Sequence, residues 1–239
     1  MARLLLPLFA VAILGCGRYF PGPLTPTAPQ AADMEVKDDG SVVYTKGRLT
    51  VTLRAVTDEQ LNRQFPAANS QGRESTNPYT FGEWKPMGDT YTPARFTVFW
   101  LQVSNYAYPK VQFDPYRAVI TTSNERTYKA LRLDELSEYF RAYALGLTGN
   151  RWSLYKERLD VLRRTMFSRA PLFSGQDTQG YIVFPPLDDD VTRLKVALDG
   201  IVLRFNYADE PLETTDLTFS FAREVLRGMH PPARLTGTK

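Results

Sequence analysis

Residues Arg95 to Asn105, RFTVFWLQVSN, are apolar on both faces of an extended chain. Side chains alternate across a strand, so Phe99, Leu101 and Val103 point one way and Phe96, Val98 and Trp100 the other. A strand apolar on two sides belongs in the centre of a sheet and needs cover on both. One cover is a second sheet. The other has two sources in this chain, the aromatic-rich stretch before the strand or the helical stretch after it.

Most other strands alternate apolar and polar residues, the mark of antiparallel strands with one wet face. Leu49, Val51, Leu53 and Ala55 alternate with Thr50, Thr52 and Arg54 after a first strand at 41–46. Thr57 before Asp58-Glu59-Gln60 is placed to cap a short helix. Short strands are expected at 111–114, 117–122 and 126–131, then at 179–185, and a last one alternates from Thr215 to Phe221. Between Arg193 and Tyr207 the pair Asp199-Gly200 suits a two-residue hairpin, with Leu198 facing Ile201, Val196 facing Leu203 and Leu194 facing Phe205. A bulge within one long strand is the other solution.

The period changes in the middle of the chain. Leu133, Leu136, Phe140, Ala144 and Leu147 recur at three and four, as do Tyr155, Leu159, Leu162 and Met166. Each set is one stripe of a helix, and Gly146 with Gly149 separates them. The expectation is a mainly β, antiparallel, immunoglobulin-like sandwich with an inserted α-helical hairpin at about 133–168. No tandem repeat is visible, so 41–226 is taken as a single domain and 227–239 as a loose tail.

Composition narrows the function classes. Hydrophobic residues make up 43% and aromatics 13%, which rules out disorder for the bulk of the chain. The formal charge is +3, too mild for a nucleic-acid binder. Cys16 is the single cysteine, so no intrachain disulfide forms. It ends a distinctive N-terminus: Arg3 is followed by twelve uncharged residues, Leu4 to Gly15. As a helix those span roughly 18 Å, short of the about 30 Å hydrocarbon core. That fits a secretory signal peptide rather than an anchor helix.

Ile13-Leu14-Gly15-Cys16 resembles the lipobox of bacterial lipoproteins, with an aliphatic residue three before the cysteine and a small one directly before it. The resemblance implies that residues 1–15 are removed, that Cys16 carries lipid on its sulfur, and that the new N-terminus is acylated. Beyond this lipid no cofactor is expected. Gly17 in place of aspartate implies, by the rule of enteric bacteria, the outer rather than the inner membrane. Residues 16–40 hold Pro21, Pro23, Pro26 and Pro29 and no apolar period. They are expected to form a Pro-rich tether, or else to pack along the domain.

The chemistry-bearing inventory is thin. The sole histidine, His230, lies in the tail beside Pro231, a poor scaffold for a nucleophile–base pair. No nucleophile elbow, zinc motif or phosphate loop is present. Asp188, Asp189 and Asp190 are the candidate metal ligands, against a solvated turn. The stretch 77–91 holds Tyr79, Phe81, Trp84 and Tyr91, aromatic candidates for a binding surface that otherwise fold back to cover the Arg95 strand. The basic residues Lys156, Arg158, Arg163, Arg164 and Arg169 are taken as a solvated helix face. The expected protein is a non-catalytic lipoprotein, exported and held to the membrane by its lipid, whose sandwich meets a protein or envelope polymer. The alternative is carbohydrate binding or glycan hydrolysis.

Overall fold

The computed structural model describes residues 17–69, 74–89, 91–146 and 151–232. The leader 1–15 and Cys16 fall outside the described residues, as do 147–150 and 233–239. In chain order β1 (Arg18–Pro21), β2 (Thr25–Pro26) and β3 (Met34–Val36) precede β4 (Ser41–Lys46) and β5 (Leu49–Val56). Two short helices follow, α1 (Asp58–Gln64) and α2 (Pro66–Asn69), then β6 (Thr97–Asn105), β7 (Lys110–Val111), β8 (Val119–Thr122) and β9 (Thr127–Lys129). Next comes the helical excursion, α3 (Leu133–Gly146) and α4 (Trp152–Thr165). The chain closes with β10 (Leu172–Phe173), β11 (Gln176–Phe184), β12 (Arg193–Phe205), β13 (Pro211–Ala222) and β14 (Val225–Gly228).

The strands form the expected antiparallel sandwich. One five-stranded sheet runs β11-β6-β5-β4-β3 and the other β2-β13-β12-β8-β9. The core between them takes Leu49, Val51 and Leu53 from β5, Phe99, Leu101 and Val103 from β6, and Val196, Leu198, Phe219 and Phe221 from the facing sheet. Phe99 lies edge-on to Phe184 of its own sheet at 5.9 Å and to Phe221 across the core at 5.1 Å. Burying each such side chain stabilises the fold by about 1.5–3 kcal/mol.

The two-faced strand β6 has the double cover its sequence requires. On its outer side Phe96, Val98 and, half-buried, Trp100 join a second core with Leu61, Tyr79, Leu136, Phe140, Leu159 and Leu162. Both sources of cover are therefore used, the aromatic stretch and the helices. The cap expected at Thr57 is present, and Gln60 makes it a reciprocal capping box: Gln60 N–H donates to Thr57 Oγ1 and Thr57 N–H to Gln60 Oε1. The helical pair is clamped to the edge of β11, on entry by Leu131 N–H to Val183 O (2.7 Å) and on exit by Phe167 N–H to Tyr181 O (3.0 Å).

Three expectations are corrected. Residues 17–40 are not a free tether: β1 pairs with β14, β2 with β13 and β3 with β4. Phe20 is fully buried there, and Gln30 clasps β13 by donating to Ser220 O (2.7 Å) and accepting from Ser220 N–H (2.9 Å). Proline tolerates this arrangement because edge strands need fewer donors. The tail does not begin at 227 either, since Arg227 and Gly228 pair with Tyr19 and Arg18. Finally, Asp199-Gly200 makes no hairpin. β12 runs through it as one strand, and its register on β13 shifts by one residue between Leu198↔Leu217 and Ile201↔Thr215. The extra residue keeps Leu198 and Ile201 both inward, and Gly200 supplies the positive φ of +74° that such a bulge uses.

Candidate functional site

The aromatic stretch is a structural cover at Tyr79. The side chain is 0% exposed, its ring 5.0 Å from Tyr181 in an edge contact and 6.1 Å from Phe65. Its hydroxyl shares a hydrogen bond with Thr165 Oγ1 on α4, and burial pushes its pKa well up. Asparagine side chains hold the loop in place. Asn77 Oδ1 accepts from Tyr79 N–H (3.0 Å), while Asn77 Nδ2 donates to Asn69 Oδ1 (3.0 Å) and Asn62 Oδ1 (3.2 Å). Gly82 closes the loop at φ +61°, where an added Cβ would stand 2.9 Å from Asn69 O.

The other three aromatics are half-buried. Trp84 meets Phe81 at 5.3 Å with planes tilted by 58°, and Tyr91 stands edge-on to Phe20 at 5.9 Å. Tyr79 and Trp84 therefore offer no coplanar exposed platform on which a sugar could stack.

Beneath this cover lie two buried arginines that sequence reasoning missed. Arg95 is 4% exposed and Arg158 is 0% exposed. Both guanidiniums approach the Phe140 and Tyr143 rings, at 5.1–5.5 Å, and Arg95 lies 4.3 Å from the Phe81 centroid. Arg158 donates twice to Ser75 O (2.6 and 3.0 Å) and Arg95 once to Asn77 O (3.3 Å). Arg95 Nε and Arg158 Nη1 have no hydrogen-bond partner among the described residues.

Carbonyls and aromatic faces thus stabilise these cations. Burial, then the charge of Arg95, pushes Arg158 down to about 10. Asp58, at the start of α1, is the carboxyl whose charge acts on Arg95, and desolvation pushes it up to about 7 against that attraction. A signal for Arg158 was present: it falls four residues after Leu154 and four before Leu162, on the buried side of α4. Its charge hid it among the solvated cations.

The aspartate turn is neutralised by arginine. Arg126 bonds Asp188 Oδ2 (2.9 Å) and reaches both oxygens of Asp190 (2.5 and 3.0 Å), and Tyr128 donates to Asp188 Oδ2 (2.7 Å). Arg126 consequently holds Asp190 below its usual range, whereas burial raises Asp189. Asp188, Asp189 and Asp190 are not brought together as a ligand set: among the described residues no group of three or more His, Cys, Asp or Glu could hold a metal ion. His230 is exposed beside the end of β14. On the second sheet an open groove of about 660 Å³ is lined by hydroxyl residues such as Thr121, Ser123 and Ser220, the cations Arg193 and Lys195, and a larger share of apolar surface.

Three of the exposed aromatics among the described residues, Tyr106, Phe173 and Tyr207, lie at one end of the sandwich, while Tyr139 and Trp152 are exposed on the helices and Tyr19 on β1. β6 ends beside Tyr106, and Lys110 of β7 pairs with Phe173 of β10. The Lys110 ammonium also bonds Asp209, in the turn joining β12 to β13. That turn carries Tyr207, fully exposed, and Leu212 follows at the start of β13. Tyr106, Phe173, Tyr207 and Leu212 thus share the end reached by the C-terminus of β12. Its N-terminus lies at the other end, where Arg223 N–H bonds Thr192 O just before β14. Thirteen residues of β12 separate the two by about 40 Å.

Among the described residues no helix is long and apolar enough to cross a membrane. Neither a family model nor a curated protein sequence matches this chain. Among solved structures it is similar to MPT63, a secreted protein from Mycobacterium tuberculosis, at 10% identity and a TM-score of 0.30, over 66% of this chain and 85% of that one.

Proposed function

We propose that this chain is a non-catalytic lipoprotein of the bacterial envelope, held to the membrane by acylated Cys16, with the outer membrane as its destination. The sandwich is a rigid spacer that presents its aromatic end, Tyr106, Phe173, Tyr207 and Leu212, to a protein or envelope polymer. One observation carries the reading: the cysteine of the lipobox-like sequence is followed after a single residue by β1, which is paired into the end opposite Tyr106, Phe173 and Tyr207. An anchor there directs the aromatic end away from the bilayer by the length of the domain. Tyr and Phe exposed together at a strand-supported tip are residue types enriched in interface cores, and Tyr is among those that anchor them. Carbohydrate binding, the alternative, loses the Tyr79–Trp84 platform and would have to use other residues.

The test is the mass and fractionation of the protein from its native host. Wild type should partition with membranes and begin at Cys16 with fatty acyl mass. Cys16→Ala should be exported and released into the soluble fraction. A mature chain beginning elsewhere, or one without acyl mass, refutes the reading.

A further inference from the structure

The end of the domain next to Cys16 carries its own exposed apolar residues. In the β1–β14 ribbon Tyr19 pairs with Arg227 and Arg18 with Gly228, and Met229 follows directly after this last pair. By alternation Tyr19 and Arg227 share one face, and Phe20 on the other face is buried in the domain. Met229 is 71% exposed and Tyr19 42% exposed. The Arg227 guanidinium lies 5.7 Å from the Tyr19 ring.

A turn from Pro86 to Asp89, closed by Asp89 N–H to Pro86 O (3.0 Å), is fastened to β1 by Arg18, which bonds both oxygens of Asp89 (2.9 and 3.2 Å). At its tip Met87 is 100% exposed, with Lys85 exposed just before it. Two methionines, a tyrosine and the cations Lys85 and Arg227 therefore surround the point where the chain leaves for Cys16.

We propose that this end of the domain, with Tyr19 and Arg227 on one face of the ribbon, Met87 and Lys85 on the turn fastened to its other face through Arg18, and Met229 just past its last paired residue, is a membrane-docking surface seated in the headgroup layer of the leaflet that receives the Cys16 lipid. The inference rests on the lipoprotein reading and adds an orientation to it. Chain length selects the occupant. Gly17 is the only residue between Cys16 and β1, and two residues of extended chain span at most about 7 Å. An added Cβ on Gly17 would already stand 3.0 Å from Arg227 Cγ, so the exit is fixed against the ribbon. A lipid held that close brings the ribbon into a headgroup region about 5–7 Å deep.

The residues there suit that layer. Tyrosine favours the membrane–water interface, exposed methionine enters the acyl boundary, and lysine and arginine meet anionic headgroups. Three acids of the same end are paired within the domain, Asp89 by Arg18 and Asp188 with Asp190 by Arg126. The ribbon thus replaces the expected tether with a seat, and the lipid with the seat fixes the orientation of the sandwich.

With its single cysteine acylated, the chain has no thiol, so one engineered cysteine labels uniquely. Met87→Cys, Met229→Cys and Tyr207→Cys proteins, purified acylated from membranes, are labelled with an environment-sensitive fluorophore. They are then placed in phosphatidylcholine–phosphatidylglycerol vesicles containing lipids brominated near the headgroup. Quenching at 87 and 229 should exceed quenching at 207 at least threefold, and Met87→Ser in the Met229→Cys protein should reduce the difference. Equal quenching at all three positions in protein whose mass confirms acylation overturns the docking face and leaves the anchor standing. Absence of acyl mass overturns both.

Discussion

Gly180→Ala should detach the helical layer from the sandwich. Gly180 lies in β11 opposite Leu101, on the inner face, with ordinary backbone angles. The chain leaving α4 crosses directly over it, so that an added Cβ would stand 2.5 Å from both Phe167 N and Phe167 Cα and 2.7 Å from Met166 C. These are backbone atoms and cannot rotate away. An acceptable carbon–carbon contact needs about 3.5 Å, so the crossing segment must move by about 1 Å. That motion strains the Phe167 N–H to Tyr181 O bond, worth about 0.5–1.5 kcal/mol. It also lifts Phe167, whose ring lies 6.1 Å from Phe113 in the inter-sheet core. Overpacking of this kind costs about 1–3 kcal/mol, giving a total of about 2–4 kcal/mol. Urea unfolding of the exported Cys16→Ala form measures it through the midpoint at constant slope. Gly175→Ala is the control, because Gly175 has φ +84° but nothing within 4 Å of the added Cβ; its cost should stay near 1 kcal/mol. A Gly180→Ala protein within 0.5 kcal/mol of the parent would refute the steric argument.

Asp58→Asn tests the desolvated carboxyl. The folded carboxyl at about 7 lies above its unfolded value of 3.8, so between those values the folded state holds a proton that the unfolded state has lost. Stability falls as pH rises through that window, by up to about 4 kcal/mol at about 1.4 kcal/mol per unit. Asp58→Asn should flatten the loss in unfolding free energy measured from pH 4 to 8, and parallel profiles would contradict it. For Arg158, methionine relieves a buried charge and leaves Ser75 O unpaired, two effects of about 1–3 kcal/mol and opposite sign. Calorimetry should therefore find Arg158→Met within about 2 kcal/mol of the parent, and Arg158→Ala lower by about 3–5 kcal/mol from the added cavity. A photo-crosslinking residue at Tyr207 should capture a partner in intact cells, whereas one at buried Tyr79 should not; equal capture at both would contradict the assignment of the aromatic end.

Periodicity made several elements legible before any coordinates. The two-faced strand β6, the alternating β5 and the stripes of α3 and α4 are local patterns, and the need of β6 for two covers followed from its side chains. Tyr79 shows where that reasoning stops. Whether an aromatic stretch covers a core or faces a ligand depends on what lies within a few ångströms of it, here Thr165 from 86 residues away. Arg158 shows the same from the opposite side, since its charge suggested solvent while its position on the helix suggested burial.

By itself the sequence determined the lipobox-like N-terminus, the sandwich class and the helical insertion, because each is written in neighbouring residues at a short repeat. Tertiary structure alone decided that residues 17–40 pair with β4, β13 and β14, that Asp199-Gly200 is a bulge, and that two arginines are buried over aromatic rings. Those outcomes turn on pairings between segments up to about two hundred residues apart. Which strand finds which partner is settled by the free energy of the assembled core, and no local window contains it.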